Sequence, residues 1–279
     1  MRAAFVTCVQ LGLSCMEAIY GLGGELTLAI TLHDHLGVNK SGRVWIDDFC
    51  HQHDIPLLKL RNINDGQLVE VVRREQIDWL FIIGWSQIAG KQVLDSPLQG
   101  VLGMHPTLLP SGRGRASIPW AILKNLSQTG VTLFKLDEGV DTGAIIAQQV
   151  VPVALDETAS TLYASIADAH VSLIRSNWSS FVNGSVILRP QDEEHATVWP
   201  GRTPEEGAIF SSMTVSAIDR LVRAVTHPYP GAYWDSLSTR TIVWAGVAQE
   251  VDGAIPIPAI DGTYWATKFC QMDISSQKI

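Results

Sequence analysis

The chain has 279 residues, enough for one sizeable domain with a real hydrophobic core and a smaller appendage. Hydrophobic residues make up 46% and charged residues 17%, which is a globular composition without disorder. The formal charge of −8 argues against nucleic acid as the main partner, and no segment is apolar for long enough to span a membrane. The four cysteines form no Cys-x-x-Cys pair, which argues against structural zinc and against a dense disulfide framework.

The N-terminal apolar run is interrupted by Gln10 and Glu17, so it predicts a buried first strand rather than a secretory signal. We therefore expect a cytoplasmic protein. Further apolar runs predict strands at residues 3–9, 26–31, 79–83, 101–104, 131–136 and 145–153. Segments of helical spacing alternate with these runs, and they predict helices at residues 16–20, 44–53, 67–75, 118–124 and 160–177. Strands alternating with helices predict an α/β domain in which helices cover both faces of a parallel sheet.

The composition changes near Arg189, where a polar connection begins. We therefore expect a catalytic domain at residues 1–190 and a small C-terminal α+β lobe at residues 191–279. The lobe is predicted to be rich in short strands and to contain one amphipathic helix. The apolar face of that helix consists of Ile218, Leu221, Val222 and Val225.

Two residues have the type and position expected of proton-transfer groups. His105 follows the strand at 101–104, and open parallel α/β sheets bind ligands at the carboxyl ends of their strands. Asp141 lies in a Gly-Val-Asp-Thr-Gly loop after the strand at 131–136, where glycines permit tight turns and close approach of a ligand. Alone, either residue is more often structural than catalytic. Their catalytic role is a hypothesis that depends on the motifs around them.

Three motifs occur in order: His-Pro-Thr-Leu-Leu-Pro from His105, Arg-Gly-Arg-Ala from Arg113, and Asp-Glu-Gly-Val-Asp-Thr-Gly from Asp137. Together they resemble the catalytic core of the formyltransferases that use N10-formyltetrahydrofolate. The resemblance implies a Rossmann-like parallel-sheet domain, N10-formyltetrahydrofolate as co-substrate and no metal. It also implies that His105 stabilises a tetrahedral oxyanion and protonates the leaving N10, while Asp141 tunes His105 and accepts the proton of the attacking amine.

The chain departs from the family at Gly103. The family has an asparagine two residues before the histidine, and its amide donates a hydrogen bond to the formyl oxygen. Glycine has no side chain to do so, and removal of one oxyanion donor costs on the order of 100- to 1000-fold in rate. Three alternatives stay open: protonated His105 suffices with a backbone N–H, another residue or water fills the space, or activity is low.

The resemblance places the folate mainly against backbone. The implied folate-binding residues are Ile83, Gly84, Trp85 and Ser86 at the end of the apolar run at 79–83, and Leu136, Asp137, Glu138, Gly139 and Val140 before the aspartate. For Trp85, a structural role as a core aromatic is an equal alternative.

Other segments resemble the branch of the family that formylates an amino sugar carried on a nucleotide diphosphate. They are the Arg-Gly-Arg-Ala motif, Trp-Pro-Gly-Arg-Thr-Pro-Glu-Glu-Gly at residues 199–207, and His-Pro-Tyr-Pro-Gly-Ala at residues 227–232. A nucleotide sugar needs cations or backbone amides for its diphosphate and an aromatic face for its base. Candidate substrate-binding residues, each also compatible with a solvated surface, are Lys40, Arg43, Arg113, Arg115, Arg202 and Tyr229.

The resemblance alone suggests GDP-perosamine, formylated on its 4-amino group, or a dTDP-linked relative as the substrate. It also implies a product used in surface polysaccharide such as O-antigen, and a homodimer built through the C-terminal lobe.

Three other functions stay open. Formylation of methionyl-tRNA requires a positive surface and a larger C-terminal domain. Hydrolysis of formyltetrahydrofolate is typical of a branch with an additional N-terminal regulatory domain. A decayed protein that binds folate or a nucleotide sugar would explain Gly103, although His105 and Asp141 both remain.

Overall fold

The computed structural model describes residues 1–37 and 42–275, so the predicted substrate residue Lys40 lies outside the described residues. The chain forms two compact units. The first comprises Met1–Arg113, Gly130–Val150 and Ile166–Val198, and the second comprises Gly114–Thr129, Val151–Ser165 and the residues from Trp199 onward. The expected domain boundary at residues 190 and 191 stays a prediction.

Strands and helices alternate in the first part of the chain, and strands predominate near its end. The strands are β1 (Ala3–Val6), β2 (Leu28–Leu32), β3 (Leu57–Leu60), β4 (Trp79–Ile82), β5 (Gly100–His105), β6 (Arg113–Gly114), β7 (Gln128–Lys135), β8 (Ile145–Pro152), β9 (Val198–Trp199), β10 (Ala232–Ser236), β11 (Thr239–Val247), β12 (Ile255–Ala259) and β13 (Gly262–Asp273). The α-helices are α1 (Gln10–Gly21), α2 (Asp34–Gly37), α3 (Asp47–Gln52), α4 (Gly66–Arg74), α5 (Lys91–Leu94), α6 (Ser117–Leu123), α7 (Ala159–Val182) and α8 (Val215–Val225). Two 3-10 turns lie at Glu193–His195 and Pro204–Gly207.

The central sheet has seven strands in the order β3-β2-β1-β4-β5-β7-β8. The first five strands in this order pair in parallel, whereas β7 runs antiparallel to β5. The predicted α/β fold class is confirmed, and the sheet is mixed because of β7. The strand order changes direction between β1 and β4, and ligands of open α/β sheets bind at the carboxyl ends of the strands beside such a switch point.

Helices cover both faces of this sheet. On one face, Leu68 and Val72 of α4 pack in a buried cluster with Leu80 of β4. On the other face, Phe81 of β4 meets the rings of Trp178 and Phe181 of α7, with centroids 6.0 and 5.4 Å away. Neighbouring side chains of β4 therefore point to opposite faces of the sheet, as successive side chains of a strand do. Every residue of β4 is buried, which explains its continuous apolar sequence.

The second unit contains a four-stranded antiparallel sheet in the order β10-β11-β13-β12 together with α8. The N-terminus of α8 is capped by Thr214, whose hydroxyl accepts the N–H of Ala217 at 3.1 Å. The predicted β-rich lobe with one amphipathic helix is confirmed. All four residues of the predicted apolar face are buried, namely Ile218, Leu221, Val222 and Val225. None of the helices in the described ranges has the length and hydropathy needed to cross a bilayer.

Candidate active site

His105 is the last residue of β5 and is only 7% exposed. Its Nε2 lies 2.8 Å from the carbonyl oxygen of Gly112, at the far end of the loop that follows the strand. Because a carbonyl oxygen only accepts hydrogen bonds, Nε2 carries a proton and donates it to Gly112. The loop therefore fixes one ring nitrogen of His105 and leaves the Nδ1 edge for other partners.

Asp141 faces the Nδ1 edge of His105. Its Oδ2 lies 3.4 Å from Nδ1, and the two side chains are 9% (His105) and 19% (Asp141) exposed. Asp141 has a φ of 57°, in the left-handed region that an aspartate tolerates better than most residues. Asp137 stabilises the same loop, since its Oδ1 accepts the Gly139 N–H at 3.0 Å and the Thr142 hydroxyl at 2.6 Å. The structure thus brings together the two residues predicted to move protons.

His170 of α7 is a second histidine near this pair, and sequence reasoning missed it. It is 2% exposed, and its Nδ1 donates to the carbonyl oxygen of Ile166 at 2.7 Å. Burial lowers the pKa of His170 to about 4, the hydrogen bond to Ile166 opposes this, and the neighbouring His105 adds to it. His170 is therefore neutral at neutral pH. Its position four residues after Ile166, one helical turn along the predicted helix at 160–177, was the available signal.

Gly103 lies two residues before His105 on β5, and the side chain of Leu136 occupies the space beside it. A Cβ on Gly103 would lie 2.7 Å from Cδ2 and 3.3 Å from Cγ of Leu136. Another side chain therefore fills the room that an asparagine would need. That side chain is aliphatic and supplies no hydrogen-bond donor.

The predicted folate-binding residues lie at the ends of β4 and β7. Gly84 has a φ of 70°, and a Cβ there would lie 2.3 Å from Cγ2 of Val9, so the close approach requires glycine. Trp85 is half-buried against the apolar core, and its Nε1 donates to Oε1 of Gln87 at 3.2 Å. Ile83 is buried and Ser86 is exposed. Leu136 is half-buried, and the four residues after it are exposed: Asp137, Glu138, Gly139 and Val140.

A cavity of about 380 Å³ opens beside the second group of these residues. Its lining combines Leu136, Asp137 and Glu138 with Leu94 of α5 and Gly100 of β5. Half of the lining residues are polar or charged, and Gly100 lies at the opposite end of β5 from His105. The assignment of these residues to folate stays a prediction.

Two of the predicted substrate cations are buried among protein groups. Arg113 is 5% exposed, and its guanidinium contacts the side chains of Gln191 and Glu193. The side chain of Arg43 is 2% exposed and donates to Oγ1 of Thr31 at 2.8 Å and to the carbonyl oxygen of Leu32 at 3.0 Å. Both guanidiniums thus have structural partners, and their role as substrate ligands stays a prediction.

The second unit brings two predicted substrate motifs together. Arg115 is exposed, its N–H donates to the carbonyl oxygen of Trp199 at 3.1 Å, and its side chain passes beside Gly201. The guanidinium of Arg202 lies 5.0 Å from the ring centroid of Trp120, within the range of a cation–π contact. Arg115, Arg202 and the ring of Trp120 therefore lie close to the segment of residues 199–202 in this unit.

Tyr229 is half-buried in the second unit, with its ring centroid 6.2 Å from that of Tyr163. Burial raises the pKa of Tyr229 above its usual range, so the phenol is neutral at neutral pH. Within the described residues, no three His, Cys, Asp or Glu side chains converge in a group that could hold a metal ion.

Comparison with known proteins gives a consistent set of relatives. The family model described as formyl transferase matches residues 33–176, and the model of the formyl transferase C-terminal domain matches residues 202–268. A methionyl-tRNA formyltransferase of Agathobacter rectalis is 30% identical over 256 residues, which cover 91% of this chain and 82% of that protein.

Two solved structures share the fold over nearly the whole chain. WlaRD, a sugar 3N-formyl transferase solved with dTDP and 5-N-formyl-THF, has a TM-score of 0.72 at 20% identity, covering 95% of this chain and 97% of WlaRD. An N-formyltransferase from Helicobacter canadensis, solved with folinic acid and dTDP-3-aminofucose, has a TM-score of 0.73 at 18% identity, covering 96% of this chain and 99% of that one.

Proposed function

The chain belongs to the formyl transferase family, and on that premise we propose that it transfers a formyl group from N10-formyltetrahydrofolate to the amine of a nucleotide-linked amino sugar. The observation that carries the formyl-transfer chemistry is the pair of His105 and Asp141, 3.4 Å apart at the carboxyl end of a parallel strand. The folate donor is supported by the two solved structures of this fold that hold formyl-THF or folinic acid.

The reaction requires one proton to leave the amine and one to reach N10 of the folate. The amine attacks the formyl carbon, and the carbonyl oxygen becomes an oxyanion. Since Nε2 of His105 is occupied by Gly112, the Nδ1 edge is the one available to the reacting groups. Nδ1–H of His105 first donates a hydrogen bond to the oxyanion and then transfers its proton to N10. Asp141 accepts the proton that the amine releases. The long 3.4 Å contact leaves Nδ1–H directed between the carboxylate and the substrate.

The acceptor is proposed from charge and from the motifs of the second unit. Residues 201–279 contain six Lys or Arg against eight Asp or Glu, whereas a tRNA-binding surface needs an excess of cations. Arg115 and Arg202 offer two cations, which suit a diphosphate. The sugar is either GDP-perosamine, formylated at its 4-amino group, or a dTDP-linked amino sugar. Its use in surface polysaccharide and a homodimeric assembly belong to the same proposal.

Formylation of methionyl-tRNA is the second candidate function. The observation in its favour is the 30% identity to the methionyl-tRNA formyltransferase of Agathobacter rectalis over most of both chains. The two functions share the donor, His105 and Asp141, and they differ only in the acceptor. Both therefore predict the same folate chemistry.

A comparison of acceptors, each assayed separately, distinguishes the two functions. Tetrahydrofolate release is measured with N10-formyltetrahydrofolate and, in parallel, GDP-perosamine, dTDP-linked 3-amino and 4-amino sugars, and initiator methionyl-tRNA. We expect turnover with one nucleotide sugar, with a product heavier by one formyl group. Turnover with methionyl-tRNA alone would establish the second candidate. The His105→Gln variant serves as the control for release that does not use the site.

A further inference from the structure

The polar segment Gln191–Val198, predicted as a connection between domains, contacts both loops that carry the catalytic pair. We propose that this segment is a positioning brace, in which Gln191 holds the Asp141 loop and Thr197 holds Gly112, the residue whose carbonyl oxygen accepts the hydrogen bond from Nε2 of His105. The inference rests on the proposed function for its catalytic meaning. Every group involved lies in the first compact unit.

The carboxamide of Gln191 holds the backbone of the Asp141 loop. Its Nε2 donates to the carbonyl oxygens of Asp141 and Gly143, both at 2.8 Å. An amide nitrogen has two hydrogens, and both are used here. The two accepting carbonyls flank Thr142, so one side chain fixes the turn that presents the Asp141 carboxylate to His105. No regular secondary structure provides this support, because the loop lies between β7 and β8.

Arg113 determines which end of the Gln191 carboxamide faces the loop. Its Nε and Nη2 donate to Oε1 of Gln191 at 3.1 and 2.8 Å, so the oxygen points to Arg113 and the nitrogen to the loop. Glu193 in turn fixes Arg113, since its two carboxylate oxygens accept Nη1 at 2.8 Å and Nη2 at 2.6 Å. Such a bidentate pair is directional as well as charge-assisted. Arg113 therefore acts through Gln191 on the Asp141 loop.

Thr197 holds the other side of the pair. Its hydroxyl accepts the N–H of Gly112 at 2.8 Å, and its backbone carbonyl accepts the N–H of Arg113 at 2.9 Å. The backbone N–H of Thr197 donates to the carbonyl oxygen of Pro110 at 3.2 Å. Gly112 has a φ of 76°, so its conformation is not held by an ordinary strand or helix. Thr197 therefore fixes the residue whose carbonyl oxygen accepts the Nε2 proton of His105.

The contacts of Gln191 and Thr197 together set the position of Asp141 relative to His105. Loss of the Thr197 hydroxyl removes the partner of the Gly112 N–H, although the Gly112 carbonyl oxygen keeps its contact with the Thr107 hydroxyl at 3.4 Å. The Gly112 carbonyl oxygen is then held less firmly against Nε2 of His105, so the ring can turn and Nδ1 no longer faces Oδ2 of Asp141. A purely structural segment would lower stability when altered and would leave the ring of a folded enzyme unchanged.

The test uses the full chain with Thr197→Val, which is nearly isosteric and lacks the hydroxyl, and Thr197→Ser, which restores it. Ser111→Ala is the matched control, because the Ser111 hydroxyl also contacts that of Thr197, at 3.3 Å, without supporting Gly112. Gln191→Met tests the other arm of the segment independently. The ¹⁵N spectrum of the His105 ring, assigned by its loss in His105→Gln, reports the Nε2 proton without requiring turnover.

We expect Thr197→Val to shift the ¹⁵N resonances of the His105 ring and to lower kcat about ten-fold, the factor for one hydrogen bond of about 1.4 kcal/mol. The KM for folate should change by less than about two-fold, and Thr197→Ser and Ser111→Ala should match wild type. Gln191→Met should lower kcat, because it moves Asp141. An unchanged His105 spectrum together with unchanged kcat in Thr197→Val would overturn the brace. A shifted His105 spectrum in Thr197→Val, together with a wild-type protein that formylates no acceptor, would uphold the brace and refute the proposed function.

Discussion

Gly103 and Leu136 offer the sharpest test of how the site handles its oxyanion. An asparagine at position 103 would add the amide donor that the resemblance leads one to expect. Leu136 opposes that change, since all three nearest atoms to a Cβ at this position belong to its side chain, the closest at 2.7 Å. The informative perturbation is therefore Gly103→Asn in a Leu136→Ala background, which removes Cγ and both Cδ atoms.

The magnitudes follow from these contacts. In wild-type background, Gly103→Asn forces the end of a flexible side chain to move, a strain of about 1–3 kcal/mol. Leu136→Ala alone is expected to cost about 1–2 kcal/mol of folding free energy, below the full range for a buried leucine, because Leu136 is only half-buried. An added oxyanion donor in the cleared space is expected to raise kcat about 100-fold.

The assay is kcat for tetrahydrofolate release at saturating donor and acceptor, measured for each variant beside its unfolding free energy. Gly103→Ala in the same Leu136→Ala background is the control, because it adds the Cβ without an amide. The ratio of the two double variants isolates the amide, and the two single variants complete the cycle. KM for folate is followed as well, since Leu136 lines the cavity beside the predicted folate residues.

Equal kcat for the asparagine and alanine double variants would refute this reasoning. The oxyanion would then be stabilised by groups that an amide at position 103 cannot supplement. A gain of about 100-fold over the alanine variant would show that the natural chain works without a donor that its fold can accommodate.

Two further predictions concern stability. Because burial lowers the pKa of His170 to about 4, the unfolded chain binds the extra proton first as pH falls below 6.5, so the free energy of unfolding should drop by about 2 kcal/mol between about pH 7 and about pH 5. His170→Gln should remove most of that drop in urea titrations, and an unaltered pH dependence would contradict the assignment. Gly143→Ala should destabilise the fold by about 3 kcal/mol or more, since its Cβ would lie 1.7 Å from the carbonyl oxygen of Lys135. Gly66→Ala is the control: it begins α4 with no atom within 4 Å of the new Cβ and should stabilise by about 0.5–1 kcal/mol in thermal unfolding.

The strands of the central sheet were predictable because buried parallel strands have continuous apolar sequences, as in β1 and β4. The direction of β7 was not, since the residue pattern of a strand is the same whichever way it runs. The apolar face of α8 was predicted residue by residue, because apolar residues recur every three or four positions whatever the helix packs against.

The candidate site was predictable where residue type and motif coincide, as for His105 and Asp141. Arginines are mostly exposed in proteins, so the burial of Arg43 and Arg113 depends on partners distant in sequence. Gln191 is 50 residues from Asp141, and nothing in a polar connecting segment distinguishes it from a solvated residue. The contact of Leu136 with Gly103 likewise follows from the pairing of β5 with β7 and from no local pattern.

The central claim is that His105 and Asp141 together move a formyl group from folate to an amine. Its most direct test is single-turnover transfer of a labelled formyl group from N10-formyltetrahydrofolate to the acceptor, in wild type, His105→Gln and Asp141→Asn. The account predicts label on the acceptor nitrogen in wild type and a rate at least about 100-fold lower in each variant, with folate binding retained. Transfer at the wild-type rate without the imidazole or the carboxylate would contradict it.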